Sequence, residues 1–242
     1  MICLKDLTAF IPAAGYGRRM GERCINFQKC MLPIWEDKKP ILFYIINNLK
    51  EVGITKFVVA VNHCKEQIKE YFGDGKKLGI SIQYVEGDFH STYDTLMQSI
   101  KVLPDIFVYS HGDMIFEPNV YKMLEERFNT NYYSTIAVMP NTNLPLTHPQ
   151  LIVEDNTVKG IFFGAEVGQY PYMYLGGAIY NKFDFLNNFD NDFSGMVEKV
   201  ITKKLDKKEC VNAIIYKGKW RHLMNEEDYQ LVANEKNWLK KI

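Results

Sequence analysis

The sequence predicts an α/β fold, a Rossmann-like three-layer αβα sandwich built on a mainly parallel, mixed sheet. Short β-branched, apolar runs alternate along the chain with segments whose apolar residues recur at helical spacing, which is the order of βαβ units. The 242 residues, 47% of them hydrophobic and 24% charged, suffice for an α/β domain with a sizeable core. Since no internal repeat or low-complexity linker divides the chain, we expect a single domain over residues 1–242.

The first half of the chain shows the clearer alternation. Residues 7–13 predict the first strand, and residues 41–52 predict a helix that Gly53 ends, as glycine often does at a helix C-terminus. Further strands are predicted over 56–61, 81–85 and 105–110, and further helices over 65–72, 91–102 and 119–128.

The second half continues the alternation with more strands. They are predicted over 134–139, 151–153, 157–163, 174–180 and 211–216, and the helices over 183–186, 195–203 and 226–241. Asn225 suits the N-cap of the last helix, because its side chain can accept a hydrogen bond from a free backbone N–H there.

Charge and cysteine content exclude several classes of protein. Lys+Arg and Asp+Glu both number 29, so no basic field favours a nucleic-acid partner. No apolar run approaches the roughly 20 residues of a membrane span, and the N-terminus lacks the build of a signal peptide. The five cysteines are odd in number and form no Cys-x-x-Cys pair. We therefore expect a cytoplasmic protein without a membrane partner.

A glycine-rich loop follows the first strand and is the first candidate site. It reads Ala13-Ala-Gly-Tyr-Gly-Arg-Arg-Met20, and its glycine pair would let backbone N–H groups turn towards a polyphosphate. It is not the dinucleotide fingerprint, whose third glycine would fall at Met20, and it lacks the Gly-Lys-Ser/Thr of a P-loop. A plain turn between strand and loop would have the same glycines.

Two cations near this loop favour a phosphate site. Arg19 lies just past the turn, and Lys29 follows ten positions later in Lys29-Cys-Met-Leu-Pro33-Ile. Two fixed positive charges would neutralise the charge that accumulates on a phosphate under attack by an oxyanion. Each residue alone would be interpreted as a solvated surface charge.

Together the two segments resemble the nucleotidyltransferase superfamily of nucleotide-sugar pyrophosphorylases, the sugar-phosphate nucleotidylyltransferases. That family has Ala-Ala/Gly-Gly-x-Gly-Ser/Thr-Arg, then Lys-x-x-Leu-Pro, and Arg18 is a small departure from it. The likeness continues through residues 40–44 and 53–59. It covers the N-terminal half of the chain well and the rest loosely. It implies the nucleotidyltransferase type of the predicted fold.

The resemblance implies an enzyme that transfers a nucleotidyl group from an NTP to a phosphorylated small molecule, with release of pyrophosphate. Arg19 would contact the leaving β- and γ-phosphates and Lys29 the α-phosphate, which makes these two residues the catalytic candidates. The nucleotide-binding candidates are Ala13, Ala14, Gly15, Tyr16, Gly17, Arg18, Ser91 and Thr92. The last two also suit the cap of the following helix, and capping alone would explain them.

Asp113 is the first metal candidate. It follows a strand-like run, and α/β sheets bind ligands at the C-terminal ends of their strands. The resemblance implies that its carboxylate holds Mg²⁺ against the α-phosphate, in keeping with the preference of Mg²⁺ for oxygen ligands. The alternative is that Asp113 caps a turn. We interpret the neighbouring His111 as a structural histidine.

His222 stands where the family has its second metal ligand, an aspartate in a late Trp-x-Asp segment. A neutral imidazole suits Zn²⁺ or Mn²⁺ better than Mg²⁺. Three roles stay open: His222 is a metal ligand, it contacts phosphate directly, or the site uses the Asp113 carboxylate alone. Mg²⁺ is the expected cofactor, with Mn²⁺ as the alternative.

The acceptor side departs from the family as well. Many members carry Glu-Lys-Pro after the strand near residue 160, and its lysine binds the acceptor phosphate, but this chain lacks that motif. The acceptor-binding candidates are Lys159, Glu166, Gly176 and Gly177. Solvated side chains and glycines needed for packing explain them equally well.

The sequence leaves more than one candidate for the nucleotide and for the acceptor of the predicted reaction. In the family that the chain resembles, the loop form Ala13-Ala14-Gly15 is frequent among CTP enzymes, so the resemblance favours CTP, with GTP or UTP next. It implies a phosphorylated small molecule, such as a sugar phosphate, as the acceptor. We expect residues 1–133 to bind the nucleotide and residues 134–242 the acceptor, and any oligomer, such as a homodimer, to form through this domain. The competing hypothesis is a non-catalytic domain that binds a nucleotide sugar.

Overall fold

The fold is a mixed β-sheet with helices on both faces, seen in a computed structural model that describes residues 2–131, 133–141, 148–189, 192 and 194–239. The strands are β1 (Thr8–Ala13), β2 (Pro33–Ile34), β3 (Lys39–Pro40), β4 (Lys56–Val61), β5 (Ser81–Glu86), β6 (Ile106–Ser110), β7 (Met114–Phe116), β8 (Thr135–Pro140), β9 (Gln150–Glu154), β10 (Thr157–Phe162), β11 (Tyr172–Asn181), β12 (Asn212–Ile215) and β13 (Trp220–His222). The α-helices are α1 (Ile41–Glu51), α2 (Lys65–Phe72), α3 (Thr92–Ser99), α4 (Asn119–Asn131), α5 (Lys182–Asn187), α6 (Lys199–Asp206) and α7 (Glu226–Asn234).

Nine strands of the described residues form one sheet in the order β5-β4-β1-β6-β11-β8-β12-β10-β9. The strands β5, β4, β1 and β6 run parallel. Strand β11 then runs antiparallel to β6 and to β8, and β12 runs parallel to β8. The α/β fold with a mixed sheet is therefore confirmed, and its parallel pairs are concentrated in the first half of the chain.

Alternate residues of β1 show why this strand is central. Ala9 and Ile11 belong to one buried apolar cluster, and Phe10, between them, belongs to another. Successive side chains of a strand point to opposite faces, so both faces of the sheet are covered. Helix α1 contributes Ile45 to the first cluster, and helix α3 contributes Leu96 to the second.

Two predicted helices differ most from their bounds in the structure. The last helix was expected to reach residue 241 but ends at Asn234, because Glu235 is extended (φ −77°, ψ 151°) and its carboxylate pairs with the Arg221 guanidinium. The helix predicted over 195–203 begins instead at Lys199, because Gly195 has a left-handed φ of 90°.

Two short strand pairs were not predicted. Strands β2 and β3 form a small hairpin before α1, and β7 pairs antiparallel with β13. Each strand has two or three residues, too few for an alternating pattern to stand out. Within the described ranges, no helix is both long and apolar enough to cross a membrane.

Candidate functional site

A cleft of about 690 Å³ opens at the C-terminal ends of the parallel strands, where α/β sheets bind ligands. Its walls come from the loop after β1, the segment that starts α3, and the end of β6. The lining residues are Pro12, Ala13, Ala14, Gly15, Tyr16, Gly17, Arg18, Arg19, Gln28, Lys29, Cys30, Asp88, Phe89, His90, Ser91, Thr92, Thr95, His111, Asp113 and Met224. The structure thus brings together both catalytic candidates, every nucleotide-binding candidate and the first metal candidate.

The glycine-rich loop depends on a left-handed residue. Gly17 has φ 62°, and a Cβ there would lie 3.0 Å from the Cys24 Cβ and 3.3 Å from the Lys29 Cβ. Gly15 differs, because a Cβ at that position would meet nothing within 4 Å. Gly17 is therefore required both for the backbone conformation and for the close approach of the segment that carries Lys29.

The Gln28 side chain holds the base of the glycine-rich loop in place, a role that the sequence did not indicate. Its fully buried amide donates to the Ala13 carbonyl at 3.0 Å and to the His63 carbonyl at 2.8 Å, and its oxygen accepts from the Cys30 N–H at 3.2 Å. One side chain thus joins the end of β1, the end of β4 and the 3-10 turn that begins at Lys29.

The Lys29 ammonium contacts the Asp113 carboxylate on the floor of the cleft, and both side chains are largely buried. Burial alone would raise the pKa of Asp113, but the positive charge of Lys29 and the His222 ring hold it well below its usual range. The carboxylate is therefore ionised at neutral pH. A negative charge thus lies beside a positive charge in the lining of the cleft.

His222 lies beside Asp113 because β13 pairs with β7. In that pair His222 is opposite Met114, and the Leu223 N–H donates to the Asp113 carbonyl at 3.0 Å. The His222 Nε2 is 3.4 Å from the Asp113 Oδ2. The two metal candidates are thus adjacent, although the described residues contain no group of three or more His, Cys, Asp or Glu side chains arranged to hold a metal.

His148 is a further residue that sequence reasoning missed. It is 7% exposed, and its Nε2 lies 2.9 Å from the Nδ1 of His222, with the two rings nearly perpendicular. Burial, together with the neighbouring imidazoles, lowers the pKa of His148 to about 3. Burial also lowers the pKa of His222.

The tip of the glycine-rich loop is more exposed than its base. Tyr16 is 44% exposed, its ring packs against His63 with centroids 5.1 Å apart, and the Arg18 guanidinium lies 5.4 Å from the Tyr16 ring centre. Arg19 is exposed on the cleft wall. The side chains of Tyr16, Arg18 and Arg19 line the cleft.

Ser91 and Thr92 lie on the opposite wall, and both make bonds within the protein. The Ser91 Oγ accepts from the Asp94 N–H at 3.0 Å and caps α3, while the Thr92 Oγ1 accepts from the Val197 N–H at 3.1 Å. The capping alternative is therefore present in the structure, and contact of these residues with a base stays a prediction.

The acceptor candidates separate into two groups. Lys159 and Glu166 are exposed and do not line the cleft, whereas Gly176 supports its wall. Gly176 has φ 83°, and a Cβ there would lie 2.5 Å from the His111 Cδ2. Gly177 packs instead against Phe116, whose Cζ would be 2.9 Å from its Cβ.

His111, which we interpreted as a structural histidine, lines the cleft. Its backbone N–H donates to the Gly176 carbonyl at 3.0 Å, and its ring Nε2 is 3.8 Å from the Oε1 of Glu198. Glu198 is fully buried at the start of α6. No motif in the sequence indicated that residue.

Comparisons with known proteins identify a family and relatives of this chain. The model of the MobA-like NTP transferase domain family matches residues 9–159. The chain is 33% identical over 121 residues to CMP-5'-(3-aminopropyl)phosphonate synthase of Streptomyces rubellomurinus, covering 48% of this chain and 18% of that protein. It is 32% identical over 118 residues to D-glycero-alpha-D-manno-heptose 1-phosphate guanylyltransferase of Campylobacter jejuni, covering 48% and 52%. The chain thus spans at most about half the length of these relatives.

Two solved structures have the same fold over nearly the whole chain. A putative glucose-1-phosphate thymidylyltransferase from Bacillus anthracis superposes with a TM-score of 0.85 at 17% identity, covering 97% of this chain and 98% of that one. The inositol-1-phosphate CTP transferase from T. maritima superposes with a TM-score of 0.76 at 20% identity and the same coverage. At these identities the likeness establishes the architecture.

Proposed function

The chain belongs to the MobA-like NTP transferase domain family, and from that premise we propose that it transfers CMP from CTP to a phosphorylated small molecule of the sugar-phosphate class. The observation that carries this proposal is the Lys29–Asp113 contact on the floor of a cleft roofed by the glycine-rich loop. A cation and an ionised carboxylate at that point suit the α-phosphate and its counter-ion.

The reaction needs no protein nucleophile. A phosphate oxygen of the acceptor attacks the α-phosphorus, the bond from that phosphorus to the bridging oxygen breaks, and pyrophosphate leaves with the bond's electron pair. Lys29 stabilises the negative charge that grows on the α-phosphate, and Arg19, exposed on the cleft wall, binds the departing β- and γ-phosphates. Catalysis then comes from positioning and charge neutralisation.

Asp113 and His222 are the residues that would hold a divalent cation. Their facing oxygen and nitrogen are 3.4 Å apart, and the carboxylate is ionised, so the donor set fits Mg²⁺ or Mn²⁺. A bound ion would neutralise phosphate charge as a Lewis acid. Two protein donors leave the remaining positions to substrate phosphates and water, as is usual for Mg²⁺ sites.

CTP is the favoured nucleotide for two reasons. The loop begins Ala13-Ala14, and the relative from Streptomyces rubellomurinus and the structure from T. maritima are both named for cytidine nucleotides. The Campylobacter jejuni relative is named for guanylyl transfer, so GTP, and then UTP, are the alternatives.

A pyrophosphate-release screen tests the proposal directly. Each of the four NTPs is paired with a panel of phosphorylated acceptors that includes hexose, heptose and inositol 1-phosphates and aminoalkyl phosphonates, with Mg²⁺ or Mn²⁺. We expect release with CTP and at least one acceptor. Tight nucleotide binding without release from any pair would instead support the non-catalytic binding domain.

A further inference from the structure

An ion pair between Arg23 and Glu226 joins the segment after the glycine-rich loop to the start of helix α7. The Arg23 Nε and Nη2 each donate to one oxygen of the Glu226 carboxylate, both at 2.7 Å. The guanidinium also lies 4.6 Å from the centre of the Tyr229 ring, one turn further along the helix. Arg23 and Glu226 are 203 positions apart in sequence, and no motif connects them.

The geometry of this pair is more constrained than that of an ordinary surface ion pair. Exposed pairs usually contribute little, because two flexible side chains must be held in one arrangement. Here the planar guanidinium binds both carboxylate oxygens, and the Gln230 amide donates to the same carboxylate at 2.7 Å. The hydrogen bonds from Arg23 and Gln230 lower the pKa of Glu226 to about 2, so the carboxylate is ionised at neutral pH.

The backbone between the loop and Arg23 contains two glycines with positive φ. Gly17 has φ 62° and Gly21 has φ 59° with ψ −139°, and both conformations suit glycine. Between them the buried Met20 donates its N–H to the Gly17 carbonyl at 2.8 Å. Arg19 is exposed within this turn, four positions before Arg23. Contacts that fix Arg23 therefore restrain the end of the short segment that carries Arg19.

Arg19 and the ion pair are also neighbours in space. Arg19 lines the cleft and, in addition, a shallow depression whose other lining residues include Arg23 and Glu226. Glu226 does not line the cleft, although Met224, two positions before it, does. An effect of Glu226 on a ligand in the cleft must therefore pass through Arg23 and the loop, or act through its charge.

We propose that Arg23 is a positioning residue, which, through its pair with Glu226, holds Arg19 where it binds the β- and γ-phosphates of the nucleotide. This inference rests on the proposed function in giving Arg19 that contact. A binding group that is held in place before the ligand arrives gives a higher affinity, because less freedom is lost on binding. A nucleoside monophosphate lacks the β- and γ-phosphates, so the position of Arg19 should affect its binding little.

Two substitutions distinguish positioning from direct attraction of phosphate by Arg23. Arg23→Ala removes a positive charge and would weaken triphosphate binding by either route. Glu226→Gln removes a negative charge, so attraction alone would strengthen triphosphate binding, whereas loss of positioning weakens it. We expect both variants to bind CTP roughly 3- to 30-fold more weakly than the wild type, and to bind CMP as the wild type does.

Isothermal titration calorimetry of the full chain with Mg²⁺ measures these affinities without turnover. GTP with GMP and UTP with UMP are titrated in parallel, and the comparison is made with the pair that the wild type binds most tightly. Lys76→Ala, which removes an exposed ion pair with Asp74 away from the cleft, is the matched control and should change neither affinity. Thermal unfolding verifies that each variant folds.

Unchanged or tighter triphosphate binding by Glu226→Gln would overturn the inference. So would equal losses of triphosphate and monophosphate affinity in Arg23→Ala, since a general disturbance of the loop would give that result. Absence of nucleotide binding by the wild type would overturn both the inference and the proposed function. A selective loss of triphosphate affinity in both variants, without pyrophosphate release by the wild type from any pair of substrates, would refute the proposed function and leave the inference standing.

Discussion

Lys29 and Asp113 compensate each other's charge on the cleft floor, and this pairing explains how two ionised groups can be largely buried. An unpaired charge at such a depth would be costly, whereas a pair tolerates burial. The same arrangement aims a cation at the point where an α-phosphate would lie.

Replacing Lys29 with alanine tests that role. We expect Lys29→Ala to lower kcat for pyrophosphate release by roughly 10²- to 10³-fold, because one fixed charge on the transition state is lost. Lys101→Ala, at an exposed lysine outside the cleft, is the matched control and should retain full turnover. Turnover of Lys29→Ala within a few-fold of the wild type, with folding verified by circular dichroism, would refute the role given to this lysine.

The two glycines of the loop, Gly15 and Gly17, differ in how well each position would tolerate a Cβ. Gly17→Ala places a Cβ in the left-handed region and 3.0 Å from the Cys24 Cβ, so we expect a loss of about 1–2 kcal/mol in the free energy of unfolding. Gly15→Ala is the comparison, because a Cβ there meets nothing within 4 Å. Urea denaturation measures both losses, and equal values would contradict this account of the loop.

Helix α7 shows how a cap secures the segment that carries His222. The Asn225 side chain accepts from the Asp228 N–H at 2.9 Å, and the Asp228 carboxylate accepts in return from the Asn225 and Met224 N–H groups. This reciprocal capping box confirms the N-cap expected at Asn225. It fixes the chain just after β13, so the position of His222 depends on it.

Removal of the cap should therefore be measurable. We expect Asn225→Ala to cost about 1 kcal/mol of stability, since one orphan N–H loses its acceptor. Asn234→Ala, at the exposed end of the same helix, removes no N-cap but only an exposed hydrogen bond from the side-chain amide to the Gln230 carbonyl, and should cost less. Thermal unfolding of the two variants decides, and equal shifts in Tm would argue against a capping role.

The sequence predicted the elements that have a clear period and enough residues. Strands such as β1 and β4 and helix α1 agree with their expected bounds to within a residue or so, because their apolar residues repeat over a whole element. Helix α7 ends earlier than predicted at Glu235, whose carboxylate pairs with the guanidinium of Arg221, a residue outside the helix. Strands β7 and β13 were not predicted, because three residues are too few to show an alternating pattern.

The residues of the candidate site likewise fall into those that the sequence indicated and those that it did not. The loop, Lys29 and Asp113 belong to motifs with fixed spacing, so the sequence indicated them before any contact was known. His148 and Glu198 reach the site through the tertiary fold, and no local pattern accompanies either. Gln28 lies beside Lys29 in the sequence, but its role depends on carbonyl groups from two separate strands.

The whole molecule should lose stability as the pH falls through the weakly acidic range, in part because of His148. Its pKa is lowered to about 3 by burial, whereas in the unfolded chain it is that of an ordinary histidine, about 6.5. Below pH 6.5 the unfolded state therefore binds a proton that the folded state does not, and each pH unit costs about 1.4 kcal/mol until the folded pKa is reached. Above pH 6.5 the group contributes no pH dependence.

His148→Gln isolates this contribution, because glutamine does not titrate. Between pH 6.5 and 5 we expect the wild type to lose about 2 kcal/mol more of its free energy of unfolding than the variant does. His222, whose pKa burial also lowers, remains in both proteins. Urea denaturation at a series of pH values measures the two curves. Parallel curves over this interval would show that burial does not keep His148 neutral in the folded protein.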